Sequence, residues 1–384
     1  MKILMVSIPS IHFFRWINQL ENMGYDIHWF DISGAGQKST HINWVNQIVD
    51  WKLRYNFPGR YFLKNKAPTI YQYIQHFNEK ETALAFEKLL LKIQPDVVHS
   101  FALYISCTPI LEVMKKHHSI KWIYSSWGSD LYYFKNISNY LKDIKRVLPH
   151  VNYLFTDCQR DFEIAKNHGF NGKFLGVFPG GGGFDFAIMN KYKKPFLERK
   201  TILIKGFQGR SGRAIPVLKA IELIKKKLIN YSLVVFGADK EVFEYVEKSS
   251  LKQWDGFYVK GKITQKQVWE LMGKSIIYIG NSNSDGMPNT LLEAICLEVF
   301  PIQSNPGGAT AEIITDGENG LLIEDCEDVD GISSLILKAI QNSKQIKSAI
   351  SENNEYLVSH FEVNKLKNEI NKLYIKVFED NSLN

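Results

Sequence analysis

Short apolar runs alternate with helix-forming segments along almost the whole chain, and this alternation limits the available folds more than any other feature. Runs such as Lys2–Ile8, Asp96–Phe101 and Thr201–Lys205 are apolar at successive positions, which is typical of parallel strands covered on both faces. Strands separated by helices form right-handed βαβ units. The pattern therefore predicts an α/β fold. The other predicted strands are Tyr25–Ile32, Lys121–Ser126, Val151–Thr156, Lys173–Phe178, Ser232–Phe236, Phe257–Val259, Ile276–Ile279, Phe300–Gln303 and Gly320–Ile323.

A glycine-rich segment divides the chain into two parts. Pro179 and four glycines are followed by a lysine-rich stretch, a composition typical of a connector. We predict a domain over residues 1–182, a linker over 183–198, a second domain over 199–361 and a helix over 362–384 that packs back toward the first domain. Two doubly wound domains of this size would face each other across a cleft and bind ligands at the carboxyl ends of their strands.

The composition excludes several classes of protein. No apolar run approaches the roughly 18 residues of a membrane span, and the first ten residues are too short for a signal peptide. The four cysteines lie far apart without a C-x-x-C pair, which argues against a disulfide scaffold or a zinc ribbon. These features indicate a cytoplasmic protein with reduced thiols.

The basic charge is concentrated in the first half, where residues 1–185 carry 21 Lys and Arg against 15 Asp and Glu. Within it, residues 51–78 hold five basic residues, eight aromatic residues and no Asp or Glu. Such a segment suits the anionic inner face of a cell membrane. The alternative is that its aromatic side chains pack inward over the sheet. Nucleic acid, the other anionic partner, is not expected.

The most specific segment follows the strand Ile276–Ile279. A polar loop leads through Asp285 and Gly286 into a helix that contains Glu293. A helix N-terminus fed by a glycine loop is an anion site that fits a pyrophosphate, and a carboxylate one turn further can accept hydrogen bonds from ribose hydroxyls. The other predicted donor-binding residues of this loop are Met287, Pro288 and Asn289. The alternative is an ordinary strand, loop and helix.

A second loop, between the strand Thr201–Lys205 and a predicted helix over 214–224, is rich in glycine and basic residues. Lys205, Arg210 and Arg213 are interleaved with three glycines there. Arg provides a planar bidentate donor for a phosphate and Lys provides a point charge. The loop therefore suits a diphosphate leaving group, and either arginine could hold it. A simply solvated basic loop is the alternative.

The order of three further segments gives a resemblance to a known family. Residues 300–305 form a strand and turn, residues 307–314 a glycine turn opening a helix, and residues 316–322 a turn into a strand. With the preceding loop, this series resembles the retaining glycosyltransferases of family 4, which have the GT-B fold. The family's donor signature is an acidic residue, seven intervening residues and a Glu, which here are Asp285 and Glu293. The first acid is Asp where the family usually has Glu.

The resemblance implies transfer of a sugar from a nucleoside diphosphate sugar, with UDP favoured, to a hydroxyl of a glycan or lipid-linked glycan. It implies retention of anomeric configuration without a metal and without a cofactor other than the nucleoside diphosphate sugar. Lys205 and Arg213 would stabilise the diphosphate, Glu293 would hold the ribose and Asp285 would orient the sugar. Gly261 would lie beside the base pocket. In the first half, Asp130 would help to place the sugar, and His12 and His99 are candidate acceptor-binding residues. The alternatives are a helix-cap histidine at position 12 and polar groups satisfied within their own loops for Asp130 and His99.

Three other functions use related architectures. A nucleotide-sugar epimerase of the same fold would interconvert the donor without an acceptor, and a noncatalytic binder would hold the donor without turnover. A nicotinamide dehydrogenase would carry G-x-G-x-x-G between a strand and a helix. The segment after the first strand, Pro9–His12, lacks it.

Overall fold

A computed structural model describes residues 1–380, together with their side chains except those of residues 343–345, 352, 354, 357 and 358. The described chain divides into two units. The first contains residues 1–157, 161–182 and 367–380, and the second contains residues 158–160 and 183–366. Each unit is built around its own parallel sheet.

Among the described residues, the sheet of the first unit has seven parallel strands in the order β3-β2-β1-β4-β5-β6-β7. The strands are β1 (Lys2–Ser7), β2 (Asp26–Asp31), β3 (Asn46–Ile48), β4 (Val97–Phe101), β5 (Lys121–Ser125), β6 (Tyr153–Thr156) and β7 (Lys173–Val177). The chain order reverses between β1 and β4, as in a doubly wound fold. The central strands are buried on both faces because helices cover them.

The helices of the first unit follow the predicted alternation with the strands. They are α1 (Ile11–Asn18), α2 (Arg60–Lys66), α3 (Pro68–Asn78), α4 (Thr82–Ile93), α5 (Leu111–Lys116), α6 (Ser129–Tyr132), α7 (Ser138–Val147) and α8 (Gln159–Asn167, whose first two residues belong to the second unit). No helix of the described chain is long and apolar enough to cross a membrane.

The sheet of the second unit has six parallel strands within the same described range, in the order β10-β9-β8-β11-β12-β13. The strands are β8 (Thr201–Lys205), β9 (Ser232–Phe236), β10 (Phe257–Val259), β11 (Ser275–Gly280), β12 (Phe300–Ser304) and β13 (Leu321–Ile323). The helices are α9 (Phe186–Met189), α10 (Ala214–Ile224), α11 (Lys240–Lys248), α12 (Gln265–Met272), α13 (Asn289–Cys296), α14 (Val329–Gln341) and α15 (Ser343–Phe361). Two doubly wound sheets match the predicted fold class.

The segment 183–198, expected to be a flexible linker, is folded. Phe184, Phe186 and Met189 are buried in the apolar core of the second unit. The glycine content suggested a connector, but the aromatic and methionine side chains between the glycines and lysines bury enough apolar surface to anchor the segment.

The last helix, α16 (Val363–Glu379), packs from residue 367 onward within the first unit. The hydroxyl of Tyr374 accepts a hydrogen bond from Trp16 Nε1 at 3.2 Å and lies 2.5 Å from His99 Nδ1. All three side chains are buried. A polar cluster of this kind fixes the position of the helix because each buried polar group needs its partner.

Two local expectations were wrong. The strand Asn46–Ile48 was missed because it is three residues long, mostly polar and at the sheet edge. The glycine turn at 307–314 opens only two short 3₁₀ turns, Pro306–Gly308 and Thr310–Glu312, instead of a helix. Gly307 and Gly308 adopt left-handed backbone angles that interrupt a helix.

Candidate active site

The acidic and basic loops predicted to bind the donor both begin at the centre of the second sheet. Strand β8 ends at Lys205 and strand β11 ends at Gly280, and the two strands are neighbours. The chain order of the sheet reverses between them. In open α/β sheets, ligands bind beyond the carboxyl ends of the strands at such a reversal. The topology therefore brings together two segments that lie about eighty residues apart in sequence.

The basic loop after β8 is held in place by its neighbours. The Asp239 carboxylate accepts hydrogen bonds from the backbone N–H groups of Gln208 and Gly209 at 2.7 and 3.1 Å. Asp239 also caps α11 through the N–H of Val242. The sequence analysis missed Asp239, although an Asp after a strand and before a helix is a recognisable N-cap signal.

Two glycines of this loop are required by close packing. A Cβ atom at Gly206 would lie 2.6 Å from Val235 Cγ1, and a Cβ at Gly212 would lie 1.9 Å from the carbonyl oxygen of Phe207. Gly212 also forms a backbone bridge with Ser282 of the acidic loop. The loop can fold back on itself and meet the acidic loop only because these positions lack a side chain.

Asn281, which the sequence analysis did not single out, joins three loops. Its side-chain N–H₂ group donates to the carbonyl oxygen of Arg213 at 3.0 Å and to that of Cys326 at 2.8 Å. The backbone carbonyl oxygen of Asn281 accepts a hydrogen bond from the backbone N–H of Arg213 at 2.9 Å. The loops after β8, β11 and β13 are therefore fixed to one another before any ligand binds, which is the preorganisation that an anion site needs.

The first predicted charge pair is Lys205 and Asp285. The Lys205 ammonium nitrogen lies 3.9 Å from Asp285 Oδ2, and both side chains are about one-third exposed. The loop of Asp285 is tightened by a hydrogen bond from the Gly286 N–H to Asp285 Oδ1 at 3.1 Å. A cation and a carboxylate thus stand together at the carboxyl ends of β8 and β11, where a charged ligand can reach both.

The two arginines of the basic loop have different surroundings. Arg213 is mostly buried, forms an ion pair with Glu327 through Nε and donates from Nη1 to the Gly212 carbonyl oxygen at 2.6 Å. Arg210 lies in the exposed middle of the loop. Glu327 was not predicted, because its contact spans more than one hundred residues of sequence. The guanidinium of Arg213 is therefore held in position by Glu327 and the Gly212 carbonyl oxygen.

The predicted donor-binding helix begins where expected. Pro288 occupies the N-cap, where it provides no side-chain hydrogen bond, and α13 starts at Asn289. Met287 and Pro288 are buried beneath the loop. The aligned peptide dipoles of a helix give its N-terminal end a positive potential. The helix N-terminus and Lys205 thus provide two sources of positive charge in the same unit.

Glu293 lies on α13 one turn from its N-terminus and is only 5% exposed. Gln265 of α12 donates to Glu293 Oε1 at 2.6 Å. A buried carboxylate needs such donors because desolvation of its charge is otherwise costly. Gln265 was missed, although α12 carries a clear capping box of Thr264 and Gln267. The hydrogen bond orients the carboxylate that is proposed to hold a ribose.

Gly261 lies at the end of β10 beside the loop that follows β9. Its carbonyl oxygen accepts a hydrogen bond from the Gly237 N–H at 3.1 Å. A Cβ at Gly261 would have only ordinary contacts, the nearest at 3.7 Å from Phe243. This position is therefore not fixed by packing, and its role in donor binding stays a prediction.

In the first unit, the two predicted acceptor-binding histidines differ in exposure. His12 is exposed in the first turn of α1, with its ring 6.2 Å from that of Trp127. His99 is fully buried, and its ring nitrogens face Tyr374 at 2.5 Å and Ser125 at 2.8 Å. Burial lowers the pKa of His99 well below its usual range. The geometry favours an internal structural role for His99 and leaves His12 as the accessible one.

Asp130 is also buried and is bonded by three donors. Its Oδ2 accepts from the Leu103 N–H at 2.8 Å and from the Tyr124 hydroxyl at 2.6 Å, and its Oδ1 accepts from the Trp127 N–H at 2.8 Å. Burial raises the pKa of Asp130 to about 6. These bonds fix the turn that contains Trp127 and Gly128. The arrangement favours a positioning role for Asp130 over direct contact with a substrate.

Comparison with known protein families supports a single assignment. Residues 193–356 match the family described as "Glycosyl transferases group 1", and residues 2–157 match "Glycosyl transferase 4-like". The two matches fall on the two sheets and together span most of the chain. The loops predicted to bind the donor all lie within the first of these matches.

One curated relative is an α-1,4-N-acetyl-D-galactosaminyltransferase of Campylobacter jejuni that acts on an undecaprenol-linked glycan. It is 25% identical over 195 residues, which is 50% of this chain and 52% of the relative. The chain thus matches about half the length of this relative.

Two solved structures share the fold at a TM-score of 0.71 and 13% identity. They are sucrose-phosphate synthase from Thermosynechococcus elongatus and Anabaena HepE in complex with UDP and glucose. Each alignment covers 98% of this chain and 99% of the other chain. The chain thus combines a glycosyl transferase 4-like domain with a group 1 glycosyltransferase domain, and it has the GT-B fold.

Proposed function

We propose that the chain transfers a glycosyl group from a UDP-sugar to a hydroxyl of a glycan or lipid-linked glycan, with retention of anomeric configuration. One observation carries the proposal. Lys205, the N-terminus of α13 and the buried carboxylate of Glu293 all belong to the loops and helix at the reversal point of the second sheet. This set offers positive charge for a diphosphate and a fixed acceptor for ribose hydroxyls.

Leaving-group stabilisation would be the main catalytic effect. Negative charge develops on the diphosphate as the glycosidic bond breaks, while the sugar becomes oxocarbenium-like. Lys205, Arg213 and the first N–H groups of α13 would stabilise that charge, and their preorganisation avoids reorganisation during the reaction. The charge compensation would thus come from side chains and the helix dipole, and we propose that transfer needs no divalent metal.

Substrate orientation would fall to the remaining residues. Glu293 would bind the ribose hydroxyls, Asp285 would orient the donor sugar, and the backbone around Gly286 and Gly261 would surround the nucleotide. The Asp of the donor signature is one methylene shorter than Glu, which leaves more room beside the sugar. In the first unit, Asp130 would position its loop and His12 would contact the acceptor.

The choice of UDP and of the acceptor class draws on the relatives. HepE was solved with UDP and glucose, and the Campylobacter jejuni relative is named for an undecaprenol-linked substrate. We propose the same donor nucleotide and an acceptor of the same kind for this chain, used at the cytoplasmic face of a membrane. The family matches are all to glycosyltransferases, which gives the epimerase and the noncatalytic binder no comparable support.

The test is a turnover assay of the purified protein with a panel of UDP-hexoses and UDP-N-acetylhexosamines, with and without lipid-pyrophosphate-linked glycans. We expect acceptor-dependent UDP release, unchanged by a chelator, and a product whose anomeric configuration by NMR matches the donor. Glu293→Gln should abolish the release. Interconversion of the donor sugar without acceptor would instead identify an epimerase, and UDP binding without turnover would identify a binder.

A further inference from the structure

The segment 51–78, rich in basic and aromatic residues, forms a long insertion between β3 and α4, and hydrogen bonds join its two ends. The Arg54 N–H donates to the Asn78 carbonyl oxygen at 2.8 Å, and the Lys80 N–H donates to the Lys52 carbonyl oxygen at 2.7 Å. The Asn78 side chain adds two hydrogen bonds to the backbone of Tyr55, at 2.9 and 2.8 Å. Helices α2 and α3 are thus presented from a fixed base.

Helix α3 buries polar side chains and exposes several apolar ones, whereas helices on a protein surface usually do the opposite. The buried residues of α3 are the polar Gln75 and Asn78. Of its apolar residues, Tyr71 and Ile74 are partly buried, whereas Ile70, Tyr73 and Phe77 are 57%, 69% and 61% exposed. Their spacing of three and four residues places them on one face of the helix. Helix α3 therefore turns an apolar face outward, and no other part of the described first unit covers that face.

Helix α2 continues the same exposed apolar character. It buries none of its residues, and Tyr61 and Phe62 are 70% and 69% exposed. Tyr55, just before the helix, is exposed as well. Several large apolar side chains grouped in one exposed segment are unusual on a soluble surface and mark an interaction site. We call Tyr55, Tyr61, Phe62, Ile70, Tyr73 and Phe77, with the cations around them, the α2–α3 surface.

The charges of the α2–α3 surface have one sign. Arg54, Lys64 and Lys66 are exposed, and the Arg60 guanidinium lies over the Tyr61 ring at 4.8 Å. No Asp or Glu occurs between residues 51 and 78, and the first acid after them, Glu79, pairs with Lys52 at 3.2 Å. Aromatic and aliphatic side chains ringed by Lys and Arg match a bilayer interface with anionic headgroups.

We propose that the α2–α3 surface docks on an anionic phospholipid bilayer, with Tyr61, Phe62, Tyr73 and Phe77 inserted at the headgroup boundary. The cations would contact the headgroups. A second copy of the chain is a poorer occupant, because pairing two such surfaces would bring like charges together. The proposal rests on the proposed function only in that a lipid-linked acceptor gives the docking its use. The surface itself is independent of donor chemistry.

The experiment is co-sedimentation of the full chain with phosphatidylcholine vesicles that contain or lack phosphatidylglycerol, at several salt concentrations. Two double variants remove the two contributions separately: Tyr73→Ser with Phe77→Ser, and Lys64→Glu with Lys66→Glu. The matched control is Lys226→Glu with Lys227→Glu, which makes the same charge change at exposed lysines of the second unit. Thermal unfolding and UDP titration of every variant check the fold and the donor site.

The wild type and the control should bind only the anionic vesicles, more weakly as salt rises. Each surface variant should lose about tenfold or more in vesicle affinity, with unchanged thermal unfolding. Failure of the wild type to sediment, or equal binding by the surface variants, would overturn the proposal. So would a wild-type dimer that the Tyr73 and Phe77 changes make monomeric, or tight RNA binding without vesicle binding. Failure of the wild type to bind UDP would instead count against the proposed function and would not bear on the docking of the α2–α3 surface.

Discussion

The ammonium nitrogen of Lys205 lies 3.9 Å from Asp285 Oδ2, across the ends of two adjacent strands, β8 and β11. Both side chains are about one-third exposed, so solvent screens their attraction and the pair adds little to stability. Its value is positional, because the pair keeps a cation beside the carboxylate that is proposed to orient the sugar. We therefore expect a change of Lys205 to alter activity much more than stability.

Replacement of Lys205 by Met should therefore lower kcat/KM for sugar transfer by about two to three orders of magnitude, the loss typical of removing one preorganised donor. Thermal unfolding should stay close to that of the wild type. Lys240→Met is the matched control, because the Lys240 side chain is 89% exposed on α11 of the same unit. Equal kinetic effects of the two substitutions would contradict the role given to Lys205.

From the ion pair between Arg213 and Glu327 we predict that Arg213, rather than Arg210, binds the diphosphate. The Arg213 guanidinium is already held by Glu327 and so loses little entropy on binding, whereas the Arg210 side chain is exposed. Arg213→Ala should lower kcat/KM by about tenfold or more, and Arg210→Ala by less than about threefold. Glu327→Ala, which frees Arg213 without removing it, should fall between them. Steady-state kinetics with the UDP-sugar decides, and the reverse order of the two arginines would reject the assignment.

Gly212 should tolerate no side chain. A Cβ there would lie 1.9 Å from the Phe207 carbonyl oxygen, so Gly212→Ala must displace backbone that joins the two donor loops. We expect a loss of about 1–3 kcal/mol in the free energy of unfolding, together with weaker UDP binding. Gly261→Ala is the control for stability alone, since its Cβ would have only ordinary contacts but the residue is itself proposed to border the nucleotide. Urea unfolding compares the stability of the two variants, and a UDP titration measures binding by Gly212→Ala. An unperturbed Gly212→Ala would show that the loop is not closely packed.

Buried His99 should make the first unit sensitive to acid. Its pKa is lowered well below 6.5 by burial, so the unfolded chain binds a proton as the pH falls through about 6.5 while the folded chain does not. The contribution of His99 to stability is present above that pH and is lost below it. The stability difference between wild type and His99→Phe should therefore shrink between pH 7 and pH 5. Urea unfolding at each pH measures it, and a constant difference would show that His99 does not titrate in this way.

Much of the fold was predictable because parallel strands are read from short apolar runs. The runs that became β8, β9 and β10 were predicted with the bounds that the structure has, and most others differ by one or two residues. The edge strand β3 was missed because Asn46-Gln47-Ile48 has neither apolar length nor alternation. The folded structure of residues 183–198 was not predictable, because it depends on the packing of Phe184 and Met189 into the apolar core of the second unit.

The candidate site was predictable where charge and glycine are local in sequence, as around Lys205 and Asp285. Its supporting contacts were not, because Gln265 reaches Glu293, and Glu327 reaches Arg213, only after the helices and loops pack. His99 shows the opposite failure. A polar residue near the end of a strand suggests a ligand contact, but here a tyrosine 275 residues away covers it.

The measurement that tests the account most directly is calorimetric titration of UDP, GDP, dTDP and NAD into the wild type and Glu293→Gln. The account predicts that the wild type binds UDP in preference to the others. Glu293→Gln should bind UDP at least about tenfold more weakly, because an amide replaces a carboxylate that accepts charge-assisted hydrogen bonds from the ribose. Its thermal unfolding without ligand should remain near that of the wild type. Unchanged UDP affinity in Glu293→Gln, or binding of NAD alone by the wild type, would contradict the central claim.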